Sequence, residues 1–198
     1  QLPEQHYINI IAFDDSHYKL FTMAEPATKS IKQLALKFVR DMEADNGTKM
    51  LPPIYEAILE KPPMLMKQQI VLMTDGQINY EKEIMTLVNE HIGDKRFHVV
   101  GIGRDPNSVL VKGIAKAGRG SYLYVDDNFK EQIKELLFKI NRPVLEDLRI
   151  DMIKQYQILP KKFPDILADE PITFFMKIPD TRLKDLMNPF IIKGNKRN

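Results

Sequence analysis

The sequence predicts an α/β fold: an open, largely parallel sheet with helices on both faces, followed by a shorter β-rich segment. Three observations carry this. Between Gln69 and Ile140, short apolar runs of strand length alternate with helical patterns, the order that builds a parallel sheet covered on both faces. Two of those runs close on polar or glycine-rich turns, Thr74-Asp75-Gly76 and Gly101-Ile102-Gly103, as strands of such sheets do at their carboxyl ends. Beyond Asn141-Arg142-Pro143 the helical rhythm stops, and strand-like runs separated by Pro-containing loops remain.

Taken in order, Tyr7–Phe13 is apolar and β-branched and suits a buried strand. Asp14-Asp15-Ser16 is turn chemistry, and Tyr18–Phe21 follows as a second strand, so the two read as a hairpin. Ile31, Leu34, Ala35, Phe38, Val39 and Met42 recur at helical spacing behind an N-cap at Thr28, in a helix that ends near Asp45-Asn46-Gly47. A second helix spans Pro52 to Leu59, stopped by Pro62-Pro63. Gln69–Met73 is the most apolar strand. Ile84, Leu87, Val88 and Ile92 mark the next helix, Phe97–Ile102 another strand, and Ser108–Ala117 a helix that ends in Gly118-Arg119-Gly120. Tyr122–Val125 is a strand, and Asp126-Asp127-Asn128 caps a helix reaching Ile140. Leu148–Met152, Ile172–Met176 and Phe190–Ile192 are the strands of the final segment. The expected domains are residues 1–141 and a β-rich part of an adjoining domain at 142–198.

Composition excludes several function classes. The 29 basic and 27 acidic residues nearly cancel, which gives no support to a nucleic-acid footprint. The basic tail Lys193–Asn198 reads as a solvated end. Cysteine is absent, so disulfides, thiolate metal sites and Cys nucleophiles are excluded. No run approaches the roughly 18 apolar residues of a transmembrane helix. The chain opens on Gln1 without a Met and is expected to be internal to a longer protein. Gly101-x-Gly103 lacks a third glycine and is read as a tight strand-to-helix turn, not a dinucleotide site. His6, His17, His91 and His98 show no metal-ligand spacing, and His98 reads as a core or sheet-edge residue. Ser108 and Ser121 lack a nucleophile elbow, and no His is paired with them by motif.

Two polar residues stand where an open α/β sheet binds ligands: Asp75, directly after the strand Gln69–Met73, and Thr48, in the loop after the first helix. A carboxylate and a hydroxyl are hard oxygen donors suited to Mg²⁺ or Mn²⁺. Asp before Gly also closes turns without any ligand, so neither residue is specific alone. The set Asn9-Ile10-Ile11-Ala12-Phe13, Asn46-Gly47-Thr48, Ile70–Gly76 and Phe97–Gly103 resembles the von Willebrand factor A (vWA) family. Ile114–Tyr122, together with Arg142-Pro143-Val144-Leu145, Pro160, Pro164-Asp165 and Glu170-Pro171, resembles the subgroup of the inter-α-trypsin inhibitor heavy chains and their bacterial relatives.

The resemblance implies a Rossmann-like sheet in the order 3-2-1-4-5-6 and a metal-ion-dependent adhesion site. In the family an Asp-x-Ser-x-Ser loop after the first strand, a Thr and an Asp hold one cation; Thr48 matches the second loop and Asp75 the third. The first loop is missing, because the chain begins at the family's second strand. Asp14-Asp15-Ser16-His17-Tyr18 lies in the hairpin turn and lacks the spacing of a substitute. A cation with about six oxygen ligands would draw most of them from water, so binding by this chain alone is expected to be weak. The strands Tyr7–Phe13 and Gln69–Met73 would each expose an apolar edge, open to self-association or to filling by another segment.

The implied function is a non-enzymatic protein-interaction or adhesion module that binds a partner's carboxylate through the cation. The alternatives are a metal-independent scaffold and a chelatase-like enzyme subunit. An exported, cell-surface or periplasmic location follows from the resemblance only.

Overall fold

The computed structural model describes residues 2–43, 47–63, 66–75, 80–103, 107–125, 129–142, 144–151, 157–161, 163, 165–166, 171–179 and 191–197. Asp45, Asn46, Gly76, the capping run Asp126-Asp127-Asn128, Pro143, Met152, Pro164, Glu170, Phe190 and Asn198, all invoked above, lie outside them. The chain divides into two compact units, Gln1–Asp127 and Asn128–Asn198.

The first unit is built on three parallel strands, β5 (Gln69–Thr74), β6 (Arg96–Ile102) and β7 (Arg119–Val125), in the order β5-β6-β7. The connections are α3 (Glu81–His91) and α4 (Ser108–Ala117), and α2 (Leu51–Leu59) packs beside α3. α3 and α4 pack against each other and into one core cluster, so the two helices lie on the same face of the sheet. Met50, Ile54, Ile58, Leu72, Ile84, Val88, Phe97, Val99, Leu110 and Ile114 form one buried cluster between these helices and the sheet. On β6 the alternate residues His98 and Val100 are fully buried as well, so both faces of the central strand are covered and its sequence is apolar almost throughout.

Local sequence explains the helix ends. Thr28 caps α1 (Lys29–Arg40), its side chain accepting from the Ile31 amide, and Asn107 caps α4 by accepting from the Leu110 amide at 3.0 Å. Gly103, at φ 102°, closes β6 in a conformation that only glycine adopts easily. This matches the tight turn expected for Gly101-x-Gly103.

The N-terminal strands depart from expectation. The run Tyr7–Phe13 is two strands, β1 (Tyr7–Ile8) and β2 (Ile11–Phe13), broken at Asn9-Ile10. Asn9 causes the break: its side chain accepts from the Phe21 amide at 3.1 Å and donates to the Phe21 carbonyl at 2.9 Å, taking the place of a ladder rung. β2 pairs antiparallel with β3 (His17–Lys19), and β1 with β4 (Glu25–Pro26). Phe13 packs on the same cluster as Ile70 of β5. Among the described residues, however, β2 is bonded only to β3 and β5 only to β6. The hairpin is tied down by a polar hub instead. Glu60, at the end of α2, accepts from the Ala24 amide at 2.9 Å and from Asn9 Nδ2 at 3.2 Å, and pairs with Lys19 at 3.0 Å.

In the second unit α5 (Phe129–Ile140) precedes β8 (Val144–Asp151), β9 (Gln157–Leu159), β10 (Phe175–Lys177) and β11 (Ile191–Arg197). These form two antiparallel ribbons, β8 with β11 and β9 with β10. β9 was not anticipated, and only the end of the expected strand Ile172–Met176 is extended ladder. The basic tail also differs from expectation. Lys193 pairs with Arg149 in the β8–β11 ladder, and Lys196 and Arg197 pair with Leu145 and Val144. Backbone pairing, which a charge pattern does not report, draws the tail into a strand while the side chains of Lys193, Asn195 and Lys196 stay exposed.

Candidate functional site

Asp75 is the first residue after β5, at the carboxyl edge of the parallel sheet, and its side chain is exposed. The residue before it, Thr74, is buried and lies opposite Gly101 of β6, so the last rung of the ladder delivers Asp75 to the surface at a fixed point. Thr48 is exposed too, in the segment that leads into α2. Immediately past it the chain turns inward at Met50, which is 2% exposed and belongs to the core cluster.

The contacts of the Thr48 loop run to the β2–β3 turn. The Lys49 amide donates to the Asp14 carbonyl at 2.8 Å, and the Gly47 amide donates to Asp15 Oδ2 at 3.4 Å. Lys49 Nζ lies 3.8 Å from Asp15 Oδ1. The turn is itself closed by Asp14 Oδ1, which accepts from the Ser16 amide at 2.7 Å and the Ser16 hydroxyl at 2.9 Å. Asp14 and Asp15, set aside in the sequence as mere turn chemistry, are therefore neighbours of the Thr48 loop. Their position, directly after an apolar strand, was the available signal.

Both Thr48 and Asp75 offer hard oxygens open to solvent, which suits a divalent cation of the Mg²⁺ type. By donor chemistry each could supply one oxygen to such a shell, with the remaining ligands coming from water or from groups outside this chain. Among the described residues no three His, Asp or Glu side chains converge in a manner that could hold a metal.

The buried polar groups of the sheet have a different character. His98 is fully buried. Its Nδ1 accepts from the Ser121 amide at 2.9 Å, which leaves Nε2 to donate to Gln69 Oε1 at 2.8 Å. One imidazole thus bridges β5, β6 and β7. Ser121 does meet a histidine after all, but through its backbone amide, inside the core, with the ring nitrogen committed to that bond. Lys95, just ahead of β6, donates to the Ile58 carbonyl. Burial pushes its ammonium below the ordinary lysine range, against the opposing pull of Glu60.

Comparison with known proteins agrees with this architecture. The sequence profile of the von Willebrand factor type A domain matches residues 1–124. One von Willebrand factor A domain-containing protein of Dictyostelium discoideum is 24% identical over 210 residues, covering 94% of this chain and 24% of that protein. A second from the same organism is 28% identical over 199 residues, covering 96% of this chain and 22% of that protein. The chain thus spans about a quarter of the length of these relatives. Among solved structures, the von Willebrand factor type A protein from Catenulispora acidiphila superposes with a TM-score of 0.65 at 20% identity, covering 80% of this chain and 39% of that one. No helix among the described residues is long and apolar enough to cross a membrane. With a family profile matched over more than half its length, on a parallel sheet that closes on Asp75, the chain belongs to the von Willebrand factor type A domain family.

Proposed function

We propose that this chain is the larger part of a protein-interaction module without catalytic activity, which in complete form uses Thr48 and Asp75 to hold Mg²⁺ or Mn²⁺ and presents that cation to a carboxylate of a partner protein. Domains of this family serve in general as protein-interaction modules. The observation that carries the finer reading is the placement of Asp75, exposed at the carboxyl edge of the sheet, where the last buried rung of β5 delivers it. Thr48 would contribute a neutral oxygen and Asp75 an anionic one. The cation, when bound, supplies a positive centre that a partner carboxylate can coordinate.

The rest of the shell is proposed to come from a strand and loop outside this chain, lying between β2 and β5. Those two strands share one core yet are bonded to each other nowhere among the described residues, and an open apolar edge invites a strand. Pairing with a second copy of the chain is the competing use of that edge. The resemblance to inter-α-trypsin inhibitor heavy chains in the second half supports an adjoining domain over residues 142–198, and an exported, cell-surface or periplasmic location.

A metal-independent scaffold is the second reading, and the absence of three converging ligands among the described residues favours it. A chelatase-like enzyme subunit has less support, since no nucleotide-binding motif accompanies the fold. Titration with Mn²⁺, followed by electron paramagnetic resonance, separates the first two readings. Cation binding by the chain that weakens at least tenfold in both Thr48→Ala and Asp75→Ala is the expected result, because each removes a direct ligand. Binding unchanged in both variants would refute the assignment.

A further inference from the structure

We propose that Asp15 is a positioning residue for Thr48, and that the β2–β3 turn acts as a splint for the loop that carries it. Thr48 is flanked by two backbone amides, and both donate to this turn: Gly47 to the Asp15 carboxylate at 3.4 Å and Lys49 to the Asp14 carbonyl at 2.8 Å. A loop fixed on either side of one residue holds that residue's backbone in a single conformation and leaves its exposed side chain free to act. The turn is rigid enough for the purpose, because Asp14 Oδ1 closes it on both the amide and the hydroxyl of Ser16.

Gly47 is shaped for the contact. A Cβ added there would stand 2.9 Å from Asp15 Oδ1, inside van der Waals distance, so a side chain at this position would push the carboxylate off the amide. The nearby ion pair contributes less. Lys49 and Asp15 are 66% and 53% exposed and 3.8 Å apart, a separation and exposure at which solvent screens most of the attraction. The hydrogen bond from Gly47 therefore carries the role of Asp15, and an amide oxygen in place of the carboxylate could still accept it.

The splint stands on these contacts alone; its use in holding a cation ligand rests on the function proposed above. Residue-resolved hydrogen exchange of the 198-residue chain, combined with Mn²⁺ titration, tests both. In Asp15→Ala the Gly47 amide is expected to exchange about threefold faster, as the loss of one long, solvent-exposed hydrogen bond implies, with core amides such as Val99 unchanged. Asp15→Asn keeps an acceptor and should exchange like the parent. Mn²⁺ affinity should follow the same pattern, falling about threefold in Asp15→Ala and recovering in Asp15→Asn, if ordering of the loop is what limits binding. Gly47→Ala supplies an independent disturbance of the same contact and should weaken Mn²⁺ binding like Asp15→Ala.

Exchange at Gly47 that is identical in Asp15→Ala and the parent would overturn the splint. Faster exchange with unchanged Mn²⁺ affinity would overturn the positioning role. An affinity that falls equally in Asp15→Ala and Asp15→Asn would assign the effect to charge and refute the hydrogen bond. If the parent chain binds no Mn²⁺, Thr48 and Asp75 hold no cation in this chain and the positioning role is overturned, while the exchange data still decide the splint.

Discussion

The parallel sheet of the first unit and the antiparallel ribbons of the second use similar residues to opposite ends. Phe97, Val99 and Val100 of β6 are 1% exposed or less, whereas Phe175 of β10 is 70% exposed and Ile191 of β11 is 55% exposed. β6 has a strand on either side, and its residues from Arg96 to Gly101 are buried. In the ribbons each strand is laddered to one other strand among the described residues, and cross-strand pairs such as Phe175 with Leu159 stand on an open face. An apolar β run reports burial only when the topology supplies layers to cover it. Ribbons of two strands gain little stability on their own.

The largest consequence should be in mutational cost. Ile114→Ala, in the core cluster between α4 and the sheet, is expected to lower stability by about 2–5 kcal/mol, as deletion of a buried Ile side chain does. The matching Ile191→Ala in β11 should cost about 0.5 kcal/mol or less, as exposed substitutions do. Chemical denaturation of the two variants checks the contrast, and equal losses would erase it.

A smaller effect is expected from the polar bridge. His98→Leu leaves the Ser121 amide and the Gln69 side chain facing the core without the imidazole between them, a loss of about 1–3 kcal/mol. The same denaturation experiment reads it. A neutral outcome would mean that the bridge contributes register, not stability.

The smallest effect concerns pH. Burial lowers the folded-state pKa of Lys95 below its ordinary value of 10.5, so in the alkaline range beneath that value the unfolded chain binds the proton more tightly. Stability from this group therefore rises as pH climbs through the lowered pKa, and levels off above the unfolded value. Lys95→Met should remove that rise; a variant whose stability follows the same alkaline slope as the parent would count against it.

How much of this could be read in the sequence varied with the kind of information each element needs. The helices α1, α2 and α4 and the strands β5 and β6 were legible because their apolar periodicity and caps, such as Thr28, are local. The break in the first strand was not, because Asn9 works by reaching twelve residues along the chain to Phe21. Nor was the pairing of the basic tail with β8, since ladder partners this distant along the chain, from Arg149 opposite Lys193 to Val144 opposite Arg197, leave no mark on local composition. At the candidate site the proposed donors Thr48 and Asp75 stand out in the sequence as residue types at strand and helix ends. The neighbourhood of Asp14 and Asp15 with the Thr48 loop was not, because the contact is made by backbone amides, which every residue has.

The most direct test of the account is thermal unfolding of this chain in Mg²⁺ and in EDTA, beside a version extended upstream by about 40 residues, enough for a strand and a helix. A cation that binds only the folded state raises the midpoint, by an amount corresponding to about 2.7 kcal/mol at a hundredfold excess over its dissociation constant. The extended chain is expected to shift upward in Mg²⁺ while the present chain shifts little, because Thr48 and Asp75 would supply only part of the shell. A present chain that gains as much from Mg²⁺ as the extended one, or an extended chain indifferent to Mg²⁺, would contradict it.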